Sequence, residues 1–192
     1  MSQYAYLKIL QGGIYLTFLS LFLVYKRFLF PYISSKQIFF NIIIEVLFVI
    51  WAAFIVKYPQ WRPKKSWISI GLIAFFAAIL VSCFTGVDFN LSFWGDVERM
   101  LGVFHILHFL VFYFIIITVM RTRNDWLNLL ALSVGAAVLV SLYSFKINYS
   151  TIGNSAYVGG YLIFNIYFAM ILFFSRRGRI VKLALPAAMI LM

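Results

Sequence analysis

The sequence contains few charges, few acidic residues and almost no cysteine. Only 11% of the 192 residues are charged, against about 25% in a typical soluble domain, so polar groups cannot cover the surface. This excludes an ordinary cytosolic enzyme, a disordered protein and a nucleic-acid-binding module. A single cysteine, Cys83, excludes a disulfide framework and a cysteine metal site. The remaining composition, 65% hydrophobic with a mean hydropathy of +1.00, is typical of a polytopic membrane protein.

The apolar runs predict an all-α bundle of transmembrane helices. A helix that crosses a bilayer needs about 20 mostly apolar residues. Six stretches qualify as full spans: 9–25, 37–56, 67–86, 102–120, 126–145 and 157–174. A seventh run, 180–192, is still apolar at Met192 and, at 13 residues, is too short to cross. Residues 1–192 are therefore expected to form the N-terminal part of one transmembrane domain.

The distribution of basic residues predicts a cytoplasmic N-terminus. The chain has 16 Lys and Arg against five Asp and Glu, a formal net charge of +11. With the N-terminus inside, eleven basic residues fall on cytoplasmic segments and five on external loops, as the positive-inside rule requires. Short basic clusters between apolar runs indicate a multi-pass protein of the cell membrane, with membrane lipids rather than nucleic acid as partners.

Three of the five acidic residues fall in one external loop, 87–102, together with Arg99. Two interpretations of this arginine stay open. In the first, Asp96 and Arg99 pair at i, i+3 and cap the following helix. In the second, Arg99 presents its guanidinium to a phosphate or diphosphate at the outer membrane boundary. If that helix began before Arg99, Glu98 would share a helical face with His105 and His108.

Polar residues inside the predicted spans also have two interpretations each. His105 and His108 are expected either to hydrogen-bond neighbouring helices or to act as a general acid or base. Two histidines do not make a metal site, which needs three or four ligands, so no metal is expected. Glu45 lies mid-span, one turn after Asn41, and indicates either a proton or ion pathway or an interhelical hydrogen bond.

The loop before residues 157–174 is rich in glycine. Gly153-Asn154 favours a tight turn with positive φ, and Gly159-Gly160 allows close backbone approach at the start of a helix. Backbone N–H groups at such a helix terminus are suited to bind an anion. The chain has no Walker or dinucleotide fingerprint, and no cofactor is expected.

Two external segments carry motifs of a known family. Residues 93–108 read FWGDVERMLGVFHILH, and residues 151–162 read TIGNSAYVGGYL. They resemble the FWG-x-x-ER-x-x-G and G-T-x-G-N-P-N-x-x-A-G-Y-L stretches of the O-antigen ligase-like and O-antigen polymerase-like membrane proteins. Ser155 replaces the usual proline of the second stretch, and Gly159 replaces the usual alanine.

The resemblance implies a membrane glycosyltransferase of polysaccharide or lipopolysaccharide biosynthesis in the bacterial inner membrane. The donor would be a polyprenyl-diphosphate-linked glycan and the acceptor a lipid, a glycan or a protein hydroxyl. Ligase, polymerase and protein O-oligosaccharyltransferase activities all stay open. The family's presumed catalytic histidine and arginines belong mostly to a late loop absent from this sequence. The resemblance therefore implies substrate binding by Arg99 and Glu98, and a pocket shaped by Gly153 and Asn154, without naming a catalytic residue.

Two other classes of function compete with the glycosyltransferase. A secondary transporter or flippase is suggested by the polar residues Glu45, Asn41 and Asn165 within apolar spans. A non-catalytic membrane scaffold would tolerate replacement of Arg99, Glu98 and Asn154.

Overall fold

The computed structural model describes residues 2–176 and 178–192, and every regular element in those ranges is a helix. In chain order, the elements are α1 (Gln3–Leu16), a 3-10 helix (Thr17–Phe22), α2 (Ser34–Lys57), a short 3-10 helix (Pro59–Trp61), α3 (Trp67–Thr85), α4 (Phe89–Trp94), α5 (Val103–Val119), α6 (Arg123–Ser144), α7 (Ser155–Ser175) and α8 (Arg179–Leu191). The prediction of an all-α fold is confirmed. Arg177, which was counted in the predicted orientation, lies outside the described residues.

Several of these helices are long and apolar enough to cross a membrane. Five stretches meet that criterion: Gln3–Phe22, Ser34–Lys57, Trp67–Thr85, Arg123–Ser144 and Ser155–Ser175. Helix α5 is also apolar but has 17 residues. Large apolar side chains cover the outside of the bundle, and Trp67 is 88% exposed. The fold is therefore a set of apolar helices compatible with a membrane bundle; the number of crossings and the cytoplasmic N-terminus stay predictions.

The first helical stretch lies closer to the N-terminus than the predicted span 9–25. Helix α1 begins at Gln3 because the Ser2 side chain accepts a hydrogen bond from the Ala5 backbone N–H. At Thr17 the α-helix changes to a 3-10 helix, and the Thr17 hydroxyl donates to the Ile14 carbonyl over 2.7 Å. Such a local bond competes with the regular helical ladder, which accounts for the tighter winding from Thr17 to Phe22.

The buried side chains form two main packing regions. One region joins α1, α2 and α5 around residues such as Leu10, Ile44 and Ile115. The other joins α6, α7 and α8 around residues such as Val134 and Ala169. The 3-10 helix that follows α1 contacts both α2 and α6. It therefore links the two regions, at the end of the bundle where α2, α5 and α7 begin.

Candidate functional site

A cleft of about 420 Å³ opens at the end of the bundle where α2, α5 and α7 begin. Three chain segments form its walls: residues before and at the start of α2, the loop before α5, and the loop leading into α7. All four residues singled out in the sequence line it, namely Glu98, Arg99, Gly153 and Asn154. The structure thus brings together two motifs that are more than 50 residues apart in the chain.

The loop that carries Glu98 and Arg99 is closed at its base by two glycines. A Cβ atom on Gly102 would lie 2.2 Å from the Phe93 carbonyl oxygen and 2.3 Å from the Gly95 nitrogen. Gly95 has a φ of +81°, which favours glycine. Both glycines of the first motif are therefore explained by a close backbone crossing, which returns the chain to the position from which it left α4.

Arg99 is held in this loop through its backbone. Its N–H donates to the Asp96 carboxylate over 2.5 Å, and its carbonyl accepts from the Gln37 side-chain amide over 2.5 Å. Across residues 2–176 and 178–192, no hydrogen bond or ion pair engages the Arg99 guanidinium, which is exposed. The Glu98 side chain is likewise exposed and unpaired within those ranges. The loop thus presents one cation and one anion to the cleft.

The predicted arrangement around Arg99 differs from the structure in two respects. Asp96 accepts from the backbone of Arg99 rather than pairing with its guanidinium, and it does so within a turn. Helix α5 begins at Val103 after Gly102, with no side-chain cap. Glu98 therefore precedes the helix and shares no helical face with the histidines, because the Gly95–Gly102 crossing places a turn there instead.

The opposite wall of the cleft depends on Gly153. Its φ is +91°, as the sequence predicted for a tight turn, and an added Cβ would lie 2.5 Å from Cβ of Tyr32. The turn therefore needs glycine for its conformation and for its contact with the segment before α2. Asn154 follows as the N-cap of α7, where its side-chain oxygen accepts from the Ala156 N–H over 2.8 Å.

The prediction of a close backbone approach at Gly159-Gly160 is wrong. Helix α7 begins at Ser155, so the two glycines lie inside the helix. A Cβ added at either position would meet nothing within 4 Å. The turn before the helix ends at Gly153, one residue ahead of the cap.

Lys36 connects the two sides of this end of the bundle. Its ammonium donates to the carbonyl oxygens of Leu23 over 3.1 Å and of Thr151 over 2.5 Å. It therefore ties the loop that precedes α7 to the start of α2. Next to it, Gln37 donates a hydrogen bond from its amide nitrogen to the Arg99 carbonyl. The Oε1 atom of Gln37 is buried without a partner in the described part of the chain. An unpartnered acceptor in the cleft wall is suited to receive a ligand hydroxyl.

Tyr32 contributes a hydroxyl to the same wall. Partial burial, together with a hydrogen bond to Tyr149, raises the pKa of Tyr32 above its ordinary value. A hydrogen bond that raises the pKa of a phenol is one in which the phenol donates, so the single O–H of Tyr32 is directed to Tyr149. The charged donor that the cleft offers to the oxygens of an anionic ligand is therefore the Arg99 guanidinium.

The polar residues inside α2 and α5 join these two helices. Nδ1 of His105 lies 2.8 Å from Oδ1 of Asn41, and Nε2 of His108 lies 3.3 Å from Oε1 of Glu45. The interhelical hydrogen-bond interpretation of both histidines is thereby confirmed. Sequence reasoning missed the pairing itself. The sequence did contain a signal for it. Asn41 and Glu45 share one face of α2 at i, i+4, and His105 and His108 share one face of α5 at i, i+3, so the two pairs can meet.

Asn165, which suggested a transport pathway, has partners inside the bundle. Its Oδ1 accepts from the Ser133 hydroxyl over 2.7 Å, and its Nδ2 donates to the Tyr161 carbonyl over 2.9 Å. This side chain therefore joins α6 to α7. Within residues 2–176 and 178–192, no group of three or more His, Cys, Asp and Glu side chains is placed to hold a metal ion.

Comparisons with models of known families, with curated proteins and with solved structures find no match to this chain. The likeness to the O-antigen ligase-like proteins stays a prediction carried by the two motifs.

Proposed function

We propose that the chain belongs to a membrane glycosyltransferase of the O-antigen ligase type, and that the cleft receives the diphosphate of a polyprenyl-linked glycan donor. The observation that supports this most directly is the convergence of the two motifs on one cleft, with an arginine whose guanidinium has no partner in the described residues. A planar guanidinium forms paired hydrogen bonds with phosphate oxygens, which makes arginine well suited to this task.

The proposed reaction demands little chemistry from the cleft itself. A polyprenyl diphosphate is a good leaving group, so the protein has to neutralise its charge, orient the acceptor and accept a proton from it. Arg99 serves the first task, aided by the N-terminus of α7. No base is assigned, because none of the residues lining the cleft is placed for that role by a contact in the structure.

We place the cleft on the extracytoplasmic face of a bacterial inner membrane, where lipid-carried glycans are used. Supporting this, the basic residues concentrate in segments at the other end of the bundle, around the ends of α2, α5 and α7. The acceptor is a lipid, a glycan or a protein hydroxyl, so polymerase and protein O-oligosaccharyltransferase remain variants of the same proposal.

The test is glycan transfer by cells that produce the full-length protein with Arg99→Ala. We expect transfer to be lost while the amount of protein in the membrane is unchanged, because the substituted guanidinium contacts no partner among the described residues. Arg27→Ala is the matched control, since Arg27 is exposed near the same end of the bundle but does not line the cleft. Unchanged transfer by the Arg99 variant would exclude this residue from the site.

Sidedness is tested separately with single cysteines in a Cys83→Ala background. Arg99→Cys and Asn154→Cys should react with a membrane-impermeant maleimide in intact cells. Lys64→Cys, at the other end of the bundle, should react only after the cells are opened. The reverse pattern would place the cleft in the cytoplasm and contradict the proposed donor.

A proton-coupled transporter or flippase is the second candidate. The observation that favours it is Glu45, an acid in the middle of an apolar helix that contacts His108. This candidate predicts substrate-dependent proton flux in proteoliposomes that Glu45→Gln abolishes. Glycan transfer that survives Glu45→Gln but not Arg99→Ala would favour the glycosyltransferase.

A further inference from the structure

Glu45 is an acid whose surroundings determine where its proton lies. It is the twelfth of 24 residues in α2, roughly 17 Å from either end of the helix at a rise of 1.5 Å per residue. Its side chain is 57% exposed on the outside of the bundle. Its one polar contact in the described residues is Nε2 of His108, 3.3 Å from Oε1.

The other ring nitrogen of His108 fixes the tautomer. Nδ1 lies 2.7 Å from the carbonyl oxygen of Phe104, one turn earlier in α5. A carbonyl oxygen only accepts hydrogen bonds, so Nδ1 must carry a hydrogen and donate it. In a neutral imidazole, Nε2 is then the nitrogen with the lone pair, and it faces Glu45.

One proton must therefore lie between the two side chains. A lone pair on Nε2 facing a lone pair on Oε1 would be repulsive at 3.3 Å, so either the acid donates to a neutral imidazole or an imidazolium donates to a carboxylate. Both arrangements have a net charge of zero. Loss of this proton would leave a full negative charge at mid-depth in an apolar helix, which is costly.

Among the described residues, the pocket beside this contact is lined by no ionisable side chain other than Glu45 and His108. The contact borders a side pocket of about 200 Å³, whose other lining residues are all apolar: Ile44, Phe48, Leu107 and Val111. An apolar pocket favours the uncharged arrangement over an ion pair.

The elements packed against α2 and α5 do not change this picture. Helices α3 and α4 and both 3-10 helices contain no charged residue. Helix α1 contributes one charged side chain, Lys8, and the tyrosines Tyr4, Tyr6 and Tyr15, none of which lines the pocket. His105, one turn earlier on α5, interacts electrostatically with His108, and its ring is hydrogen-bonded to Asn41.

We propose that Glu45 and His108 form a one-proton binding site at the middle of the membrane, in which Glu45 is a carboxylic acid at neutral pH and donates to Nε2 of His108. The ligand of this site is a proton. The inference rests on the contact between α2 and α5 and does not depend on the proposed glycosyltransferase activity or on the cleft.

The deciding measurement is the infrared spectrum of the protein in membranes at pH 7, for wild type and Glu45→Gln. We expect the wild type to show the C=O stretching band of a protonated carboxylic acid, and the variant to lose it. Glu98→Gln is the matched control, since Glu98 is an exposed loop carboxylate, and it should leave that band intact. His108→Leu should keep the band but shift it, because the acid then lacks its acceptor.

Reaction with a membrane-soluble carbodiimide tests chemically whether Glu45 carries this proton. The acid proton passes to a carbodiimide nitrogen, a carboxyl oxygen bonds the central carbon, and the acyl group then migrates to nitrogen. The whole reagent stays attached as an N-acylurea. Peptide mass mapping should show this addition at Glu45 in preference to Asp88 and Glu98. If Glu45→Gln alters only carboxylate bands at pH 7, the proposal is overturned, whatever the labelling shows.

Discussion

Two arginines at opposite ends of the bundle show how differently the protein uses the same side chain. Arg121 donates from its guanidinium to three backbone carbonyls, those of Thr118, Gln60 and Arg62, over 3.1 to 3.3 Å, and lies 4.4 Å from the ring centre of Trp61. Arg99 has its backbone held on both sides, yet its guanidinium has no partner in the described part of the chain. Arg121 therefore serves the fold, whereas Arg99 remains available to a ligand.

The largest effect on stability is expected at Gly102, where the two ends of the loop that carries Arg99 meet. Gly102→Ala places a Cβ atom against the Phe93 carbonyl and the Gly95 nitrogen, both of which are backbone atoms that cannot rotate away. We expect the free energy of unfolding to fall by more than about 2 kcal/mol, as for other severe backbone clashes. Thermal unfolding in detergent measures this.

Gly135→Ala is the control for that substitution. A Cβ at Gly135 would meet nothing within 4 Å, and the residue lies inside α6. Alanine there is expected to be neutral or to stabilise by up to about 1 kcal/mol, from its higher helix propensity. Equal behaviour of the two variants would show that the loop is not closed by a backbone crossing.

The next largest effect is expected at Arg121. Arg121→Ala removes three charge-assisted hydrogen bonds and the stacking on Trp61, and a solvent-facing set of this kind should contribute about 1–2 kcal/mol. Arg121→Lys should recover only part of this, because an ammonium cannot reproduce the planar fork. A melting temperature equal to that of the wild type would contradict a structural role for this side chain.

A smaller effect is expected at the other wall of the cleft. Asn154→Ala removes the N-cap of α7 and should cost about 1 kcal/mol, whereas Asn154→Asp keeps an acceptor oxygen and should cost much less. Both are measured by thermal unfolding. A loss of the same size in both variants would point to a role for the amide nitrogen instead.

The smallest effect on stability is expected at Arg99 itself. Arg99→Ala should change the free energy of unfolding by less than about 0.5 kcal/mol, because the guanidinium contributes no protein contact in the described residues. A loss comparable to that of Arg121→Ala would mean that the protein already uses this guanidinium, and the contrast between the two arginines would disappear.

The helices could be predicted from the sequence because hydropathy is a local property of the chain. Even so, the start of α1 was missed, since a serine cap at Ser2 outweighs the polar residues that follow it. Conversely, the sequence predicts a close backbone approach at Gly159 and Gly160, whereas the Asn154 cap determines that α7 begins ahead of them. Local capping contacts thus explain both errors.

The candidate site could be predicted only in part. Arg99, Glu98, Gly153 and Asn154 were identified from motifs, but nothing local indicated that their loops share one cleft. That arrangement depends on contacts between distant segments, such as Gln37 with the Arg99 carbonyl, 62 residues apart, and Gly153 against Tyr32. Such contacts follow from tertiary packing, which a single sequence does not encode in any short window.

The Gly95–Gly102 crossing has an entropic consequence for anything that binds at Arg99. The backbone of this loop is held by the crossing, by Asp96 and by Gln37. Association would then restrict chiefly the rotamers of one long side chain, at an entropic cost of at most about 2 kcal/mol. Ordering a flexible loop of eight residues would instead cost about 1–2 kcal/mol for each residue. A preorganised loop of this kind favours fast capture without an induced-fit step.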